Sequence, residues 1–449
     1  MSNIKKSSQD VSSVDNSRRN FFRKTAMLSA VAAASITPVV AKADDSAIIE
    51  EQPWATKLGD PVDKHPYGMP SAYEHNVVRR SHELLSSGDM YASVTMCPIH
   101  ELKGIIVPNG LFFCRDHGGT AQIDPNAYRL MIHGKGVKKP IVLTLEQLKR
   151  YPSETRIHFI ECPANGSTGW RGPQFNTIQF MKGMMSCAEW TGVPLKLVLK
   201  DLGIDTSVAK WMLAEGNDNS HMGRTIPIEK ALDDAMLVYG QNGEALRPEQ
   251  GYPVRLLLPG WEGNLNVKWL SRLEFSDKPW HAKEETSKYT MLQPGGKAIQ
   301  FFWPMEVNSV ITSPCSDIPW TDLKKGDMVE IEGLAWTGQG TIKGVDISLD
   351  GGDNWVEAQL KGLVLPKAWT RFSYIMKWEG KPLLLSSRAY DDSGNVQPTI
   401  DQEVSAVGVE NIYHRNAIVT WEVKSNGEVN NVHIRENLVE VAKKAGWRK

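Results

Sequence analysis

The chain has 449 residues, 41% of them hydrophobic and 23% charged, with a formal net charge of -1; at roughly 150 residues per domain this leaves room for two or three domains. Balanced charge argues against a nucleic-acid surface, which shows as a basic patch or stripe, and no long apolar run beyond Val40 could span a bilayer. The five cysteines, Cys97, Cys114, Cys162, Cys187 and Cys315, form no C-x-x-C pair, which excludes a c-type haem signature, a zinc knuckle or an iron–sulfur run within this chain.

In chain order, Ser17-Arg18-Arg19-Asn20-Phe21-Phe22-Arg23-Lys24 precedes an apolar stretch from Thr25 to Val40 and the small-x-small pattern Ala41-Lys42-Ala43. This pattern predicts a twin-arginine export signal over residues 1–43, with a mature chain that starts near Asp44 and works in the periplasm. The apolar stretch is short of the roughly 20 residues a membrane span needs, so no membrane anchor is expected. Residues 44–95 are polar and Pro-rich and predict an extended arm. From 96 to 295 strands (Tyr128 to Ile132, Arg156 to Ile160, Tyr252 to Leu258) mix with short helices (Leu145 to Arg150, Leu195 to Leu202, Ile228 to Leu232). After a linker around Gln293-Pro294-Gly295-Gly296, strand-like runs recur at Val307 to Ile311, Met328 to Ala335, Ile342 to Ser348, Trp369 to Trp378 and Leu383 to Tyr390. Short strands at that spacing, with few helix signals, predict a β-sandwich over 300–430. The fold class is therefore α+β, a mixed α/β body followed by a sandwich.

One stretch carries the chemical question. In Phe159-Ile160-Glu161-Cys162-Pro163-Ala164-Asn165-Gly166 a strand-forming run meets Pro, Asn and Gly, so Cys162 belongs at a strand's last residue, where rigid scaffolds present functional groups. A core thiol, a nucleophile, half of a disulfide and a metal ligand all fit that position.

The chain resembles the sulfite oxidase family of molybdopterin enzymes in FFCRDHGG (112–119), YRLMIHG (128–134), FIECPANG (159–166), EWTGVPLKLVL (189–199), IPIEKAL (226–232), GYPVRLLLPGWEGNLNVKWLSRLEF (251–275), VDISLDGGDNW (345–355) and RAYDDSGNVQPT (388–399). These stretches run in the family's order through nearly everything after residue 96. Within the family the likeness is strongest to the molybdenum subunits of Sox-type sulfane dehydrogenases. The resemblance implies a molybdopterin-binding catalytic domain over 96–295 and an immunoglobulin-like dimerisation sandwich over 300–430. It also implies one molybdenum per chain and Cys162 as the thiolate ligand, a soft donor suited to a metal already held by dithiolene sulfurs. Arg115 and His117 fall near the pterin phosphate and the metal's oxygens, with Arg115 and Arg371 as further catalytic candidates. Arg255, Asn266, Val267 and Lys268 fall where the family holds the pterin, a task for which the guanidinium fork suits phosphate.

Three departures stand out. Asp116 replaces the usual Asn, Met222 stands at a tyrosine and Ser167 at a second arginine, which implies a pocket short of a phenol and a cation, with Arg171 and Arg371 as partial replacements. The implied function is oxidation of sulfane sulfur carried as a persulfide on a partner protein's cysteine, with electrons leaving to a c-type cytochrome subunit. Sulfite dehydrogenation, methionine sulfoxide reduction and a non-catalytic binding protein are the alternatives.

Overall fold

Alternating apolar residues set the strands of this chain, and Gly, Pro and Asn cut them short. The computed structural model describes residues 58, 61, 67–81, 93–170, 175–433 and 438–447. The export signal expected over 1–43, most of the arm expected over 44–95, and Arg171 lie outside the described residues. The chain divides into two units, Met1–Met69 and Pro70–Lys449. Of the first unit, Leu58, Pro61 and residues 67–69 are described, and all are exposed.

The second unit opens with an antiparallel ribbon of β1 (Ser93–Thr95) and β2 (Cys114–Asp116). It continues through β3 (Leu130–Gly134), β4 (Ile141–Leu143), α1 (Leu145–Leu148), β5 (Glu154–Glu161), α2 (Ile178–Lys182), β6 (Met185–Pro194), α3 (Leu195–Asp201), β7 (Trp211–Gly216) and β8 (Gly223–Pro227). Helix α4 (Ile228–Asp233), β9 (Met236–Gln241), β10 (Glu244–Ala245), β11 (Arg255–Leu257) and β12 (Leu270–Ser276) complete the α/β body. Two five-stranded sheets result, one ordered β10-β9-β6-β5 with β11 on β9, the other β4-β3-β12-β7-β8. Strand β12 runs parallel to β3 and antiparallel to β7. Helix α3 buries Leu195, Val198 and Leu199, at i, i+3 and i+4, against this core. Each such side chain contributes roughly 1.5–3 kcal/mol on full burial. Helix α1 starts where Thr144 Oγ1 accepts from Gln147 N at 3.2 Å while Gln147 Oε1 accepts from Thr144 N at 2.9 Å, a reciprocal cap that satisfies two free amides.

The expected linker at 293–296 is the turn of a hairpin. After α5 (Lys283–Thr286), β13 (Met291–Gln293) and β14 (Lys297–Ile299) pair around Gly295 and Gly296, whose φ of +87° and +80° favour glycine. Then follow β15 (Asn308–Ser313), β16 (Met328–Trp336), β17 (Ile342–Ser348), β18 (Val356–Glu357), β19 (Gln359–Lys361), β20 (Thr370–Lys377) and β21 (Leu383–Asp391). Helix α6 (Ile400–Val407), β22 (Thr420–Val423), β23 (Val429–Val432) and α7 (Leu438–Lys444) close the described chain. The sheets β15-β16-β20-β19 and β18-β17-β21-β22-β23 enclose Trp336, Trp369, Phe372, Leu385 and Trp421, all fully buried. That core is continuous with Phe159, Ile178 and Trp190 of the α/β body, and Phe159 N donates to Lys367 O at 3.1 Å. Architecture changes near residue 296, but apolar packing does not stop there. The strand expected over 252–258 shrinks to Arg255–Leu257, since Pro253 has no N–H for the ladder.

Candidate active site

Cys162 directly follows β5, the strand whose last residue Glu161 pairs with Met185 of β6. Beyond it the ladder yields to a turn in which Cys162 N donates to Met184 O at 2.9 Å and Asn165 N to Cys162 O at 2.8 Å. Asn165 fixes the turn from its side chain as well, donating to Glu161 Oε1 at 2.8 Å and accepting from Met184 N at 3.1 Å. The cysteine therefore lines a cavity shared with Arg115, His117, Met222, Arg255, Lys268 and Tyr289. Gly263 lets the opposite wall approach: a Cβ there would lie 2.8 Å from Glu161 O and 3.3 Å from Cys162 N. All five cysteines are unpaired, so the disulfide reading of Cys162 falls away. Burial pushes its thiol up to about 11. A bound cation would be needed to hold it as thiolate at neutral pH.

One end of the cavity is cationic. Arg255, 3% exposed, donates through Nη1 to Gln250 O at 3.1 Å and through Nη2 to Asn266 O at 3.0 Å, while its Nε is buried without a partner. Burial with no carboxylate against it lowers its pKa to about 10. Lys268 pairs with Asp116, donates to Glu249 O at 2.9 Å and lies 4.5 Å from the ring centroid of Trp269. Burial opposes ionisation of Asp116, yet Lys268 and the Thr120 hydroxyl at 2.9 Å hold its pKa below the ordinary range. Arg115 donates to Ser93 O at 3.3 Å and to Asp116 O. Three cations thus line the cavity with two carboxylates, Asp116 and Asp218, and a buried guanidinium keeps an N–H free. That donor set fits an anionic, phosphate-bearing group. Asn266 serves differently from the direct contact expected of it: its side chain accepts from Leu258 N at 2.7 Å and donates to Glu262 O at 2.9 Å. Its carbonyl steadies Arg255, and Val267 lines the wall beside it.

At the thiol end, Tyr289 and His117 meet at 3.3 Å between Oη and Nε2. Burial and the nearby Arg115, Lys288 and Lys268 lower the His117 pKa to about 3, so the ring is neutral, while burial raises that of Tyr289. Behind Tyr289 lies a buried ionic network. Arg224, 1% exposed, bonds Glu285 at 2.8 Å, Glu262 at 3.1 Å and Asn264, and its guanidinium sits 4.8 Å from the Tyr289 ring centroid. The other oxygen of Glu262 reaches His414 Nε2 at 2.8 Å, and His414 Nδ1 reaches Glu306 at 2.8 Å.

The geometry revises three expectations. Arg371 does not line the cavity: from β20 it donates to Gly104 O and Leu102 O, both at 2.7 Å, and so braces a loop. The pocket has not lost its phenol. Met222 does line it, but Tyr289 supplies a hydroxyl from the segment after α5. Ser167 lies in a 3₁₀ turn that does not line the cavity, whose cations come from Arg115, Arg255 and Lys268. Sequence reasoning missed Tyr289, Glu262, Tyr413 and His414. The Glu262 signal was visible as an acidic residue inside Pro-Gly-Trp-Glu-Gly, where a solvated turn would be the ordinary reading.

Residues 117–284 match the oxidoreductase molybdopterin binding domain and residues 299–421 the Mo-co oxidoreductase dimerisation domain. Mitochondrial sulfite oxidase of Rattus norvegicus is 30% identical over 343 residues, 70% of this chain and 61% of that protein. Sulfite oxidase of Gallus gallus is 30% identical over 325 residues, 65% of this chain and 68% of that protein. The chain thus spans about three-fifths of the length of the rat relative. A crystal structure of the sulfane dehydrogenase SoxCD from Paracoccus pantotrophus contains a chain that superposes with a TM-score of 0.84 at 47% identity, covering 87% of this chain and all of that one.

Proposed function

We propose that this chain, which belongs to the sulfite oxidase family of molybdopterin enzymes, is a periplasmic dehydrogenase that oxidises sulfane sulfur presented as a persulfide on a carrier protein's cysteine. The observation that carries the reading is a strand-end thiol, Cys162, in one cavity with a cationic cradle that keeps a buried guanidinium N–H free; Cys114, the second thiol lining the cavity, is engaged with Asp116 and Glu249 O, both at 3.4 Å. Among the described residues no group of three or more His, Cys, Asp or Glu side chains is arranged to hold a metal ion, so a metal here would bring most of its ligands with it. The molybdopterin group fits that requirement, and when bound it supplies a two-electron oxidation of sulfur with water as the source of oxygen.

In this reading Cys162 would hold the metal, and Arg255, Lys268 and Arg115 would hold the pterin phosphate through charge-assisted bonds worth roughly 1.5–3 kcal/mol each. Asp116 positions Lys268 for that contact. Tyr289 keeps its proton on Oη and can donate it as a hydrogen bond to an oxygen at the reacting sulfur, with neutral His117 orienting the phenol. Met222 offers an apolar, polarisable wall suited to sulfur. Two electrons and two protons leave for each oxygen added; the electrons pass to a c-type cytochrome subunit, and the sandwich joins two copies of the chain.

The test is a comparison of the purified, molybdenum-loaded protein on persulfide-bearing carrier and on free sulfite, with a c-type cytochrome as acceptor. The carrier should be turned over with the higher kcat/KM. Tyr289 in the cavity favours a second reading, since a phenol in the same cavity as Arg115 suits a free oxyanion as well; faster turnover of free sulfite would replace the first reading with sulfite dehydrogenation. Replacing Arg18 and Arg19 with Lys should strand loaded precursor in the cytoplasm, and fractionation of cells would show this. Sedimentation at micromolar concentration should give a dimer.

A further inference from the structure

We infer that His414, from the segment between α6 and β22, is a positioning residue for the catalytic thiol: it bridges Glu262 and Glu306 and holds the Cys162 turn against the Tyr289 wall. The inference rests on the reading of Cys162 as the reacting metal's thiolate. Three contacts of one residue carry it. His414 N donates to Pro163 O at 2.7 Å, one residue beyond Cys162. Nε2 meets Glu262 Oε1 at 2.8 Å, and Glu262 immediately precedes Gly263, the residue whose missing side chain admits that wall to within van der Waals reach of the Glu161–Cys162 peptide. Nδ1 meets Glu306 at 2.8 Å, at the entry to the sandwich.

The same segment touches the other side of the site. Tyr413 packs its ring 5.1 Å from that of Tyr289, and Glu262 hands the connection on to Arg224 beneath the Tyr289 face. The backbone bears the marks of a position imposed from outside, because both His414 and Tyr289 sit in the left-handed region, at φ +59° and +48°. Such conformations cost on the order of 1–3 kcal/mol and persist where surrounding contacts over-determine them. The imidazole itself is fully enclosed, with the Phe302 ring edge-on at 4.7 Å. A histidine that only filled space would need neither carboxylate. This one joins three stretches distant in sequence at the single turn that presents the thiol.

The test uses molybdenum-loaded wild type, His414→Gln and Glu306→Gln, and reads molybdenum content, the thiolate-to-molybdenum charge-transfer absorption and steady-state kinetics. Outer partners of metal ligands typically affect activity about 10–100-fold, so His414→Gln should lower kcat by at least about tenfold with KM within about twofold. Its charge-transfer band should also move in the fraction that retains metal. Glu306→Gln, a change at the half-exposed end, should move the band in the same direction by less, and it stands in if His414→Gln does not fold. An unchanged band and kcat per bound molybdenum in the variant that folds would overturn the inference and leave His414 a packing residue. Wild type without molybdenum or the charge-transfer band would instead overturn the assignment of Cys162 as metal ligand.

Discussion

The two ends of the cavity are both charged and buried, yet they are built on opposite plans. Around Arg255, Lys268 and Arg115 three cations outnumber the two carboxylates, Asp116 and Asp218, and a guanidinium N–H stays unpartnered. Beneath Tyr289, Arg224 and His414 meet three carboxylates, Glu262, Glu285 and Glu306, in short bonds. Two of those carboxylates are deeply buried. The first arrangement is complete only with an anion in it; the second is complete as it stands. Removing a member should therefore hurt binding at one end and folding at the other, because a buried charge is tolerated only while its partner remains.

The loss expected to be largest lies between the two ends. Cys162→Ser should reduce turnover more than about a hundredfold, beyond the range typical of outer partners, with the thermal unfolding midpoint little changed. Activity above a few per cent of wild type would deny the thiol its role. Next, the two ends should separate cleanly under paired substitutions. Arg224→Leu strands the buried Glu285, which loses its cation, and should cost about 3–5 kcal/mol in chemical denaturation. Arg255→Leu should leave the cofactor-free protein about as stable as wild type, while losing one charge-assisted bond weakens cofactor retention by about 10–150-fold. Pterin and molybdenum analysis after gel filtration reads that loss; equal destabilisation by both substitutions would erase the distinction.

A smaller effect follows from pH. Burial opposes the charge on His414, but Glu306 and Glu262 raise its pKa to about 10 from the usual 6.5, with Arg224 beyond Glu262 and Arg415 next in the chain as the cations nearby. A group whose folded pKa is raised contributes stability that is fully present below the unfolded value and is lost as pH rises through the folded one. The unfolding midpoint should fall by a few degrees between pH 7 and pH 10.5, and this fall should be shallower in His414→Gln. The smallest change is at the cationic end: Asp116→Asn frees Lys268 and should raise the protection of the cofactor-free protein by inorganic phosphate a few-fold, read as the phosphate dependence of the midpoint.

Features that depend on neighbours a few residues apart were legible in the chain before it folded. Phe159 and Ile160 favour a ladder and Pro163, Asn165 and Gly166 forbid one, which puts Cys162 at a strand's last residue; β5 stops one residue earlier, at Glu161, and Cys162 opens the turn. The sandwich strands β16, β17 and β21 fall where the apolar runs placed them, β17 to the residue. Helices α6 and α7 lie in a strand-rich region where few helix signals are expected, although Thr399 and Gln402 spell the cap of the first. How the site is closed depends on long-range packing. Arg371 looked available until its guanidinium met the carbonyls of Leu102 and Gly104, more than 260 residues away in sequence. Tyr289 and His414 come from irregular segments, where no periodicity marks which side chain turns inward. Their placement depends on contacts with Cys162's turn and with Glu262, which exist only once the two sheets and the sandwich have packed, so local sequence carries no sign of it.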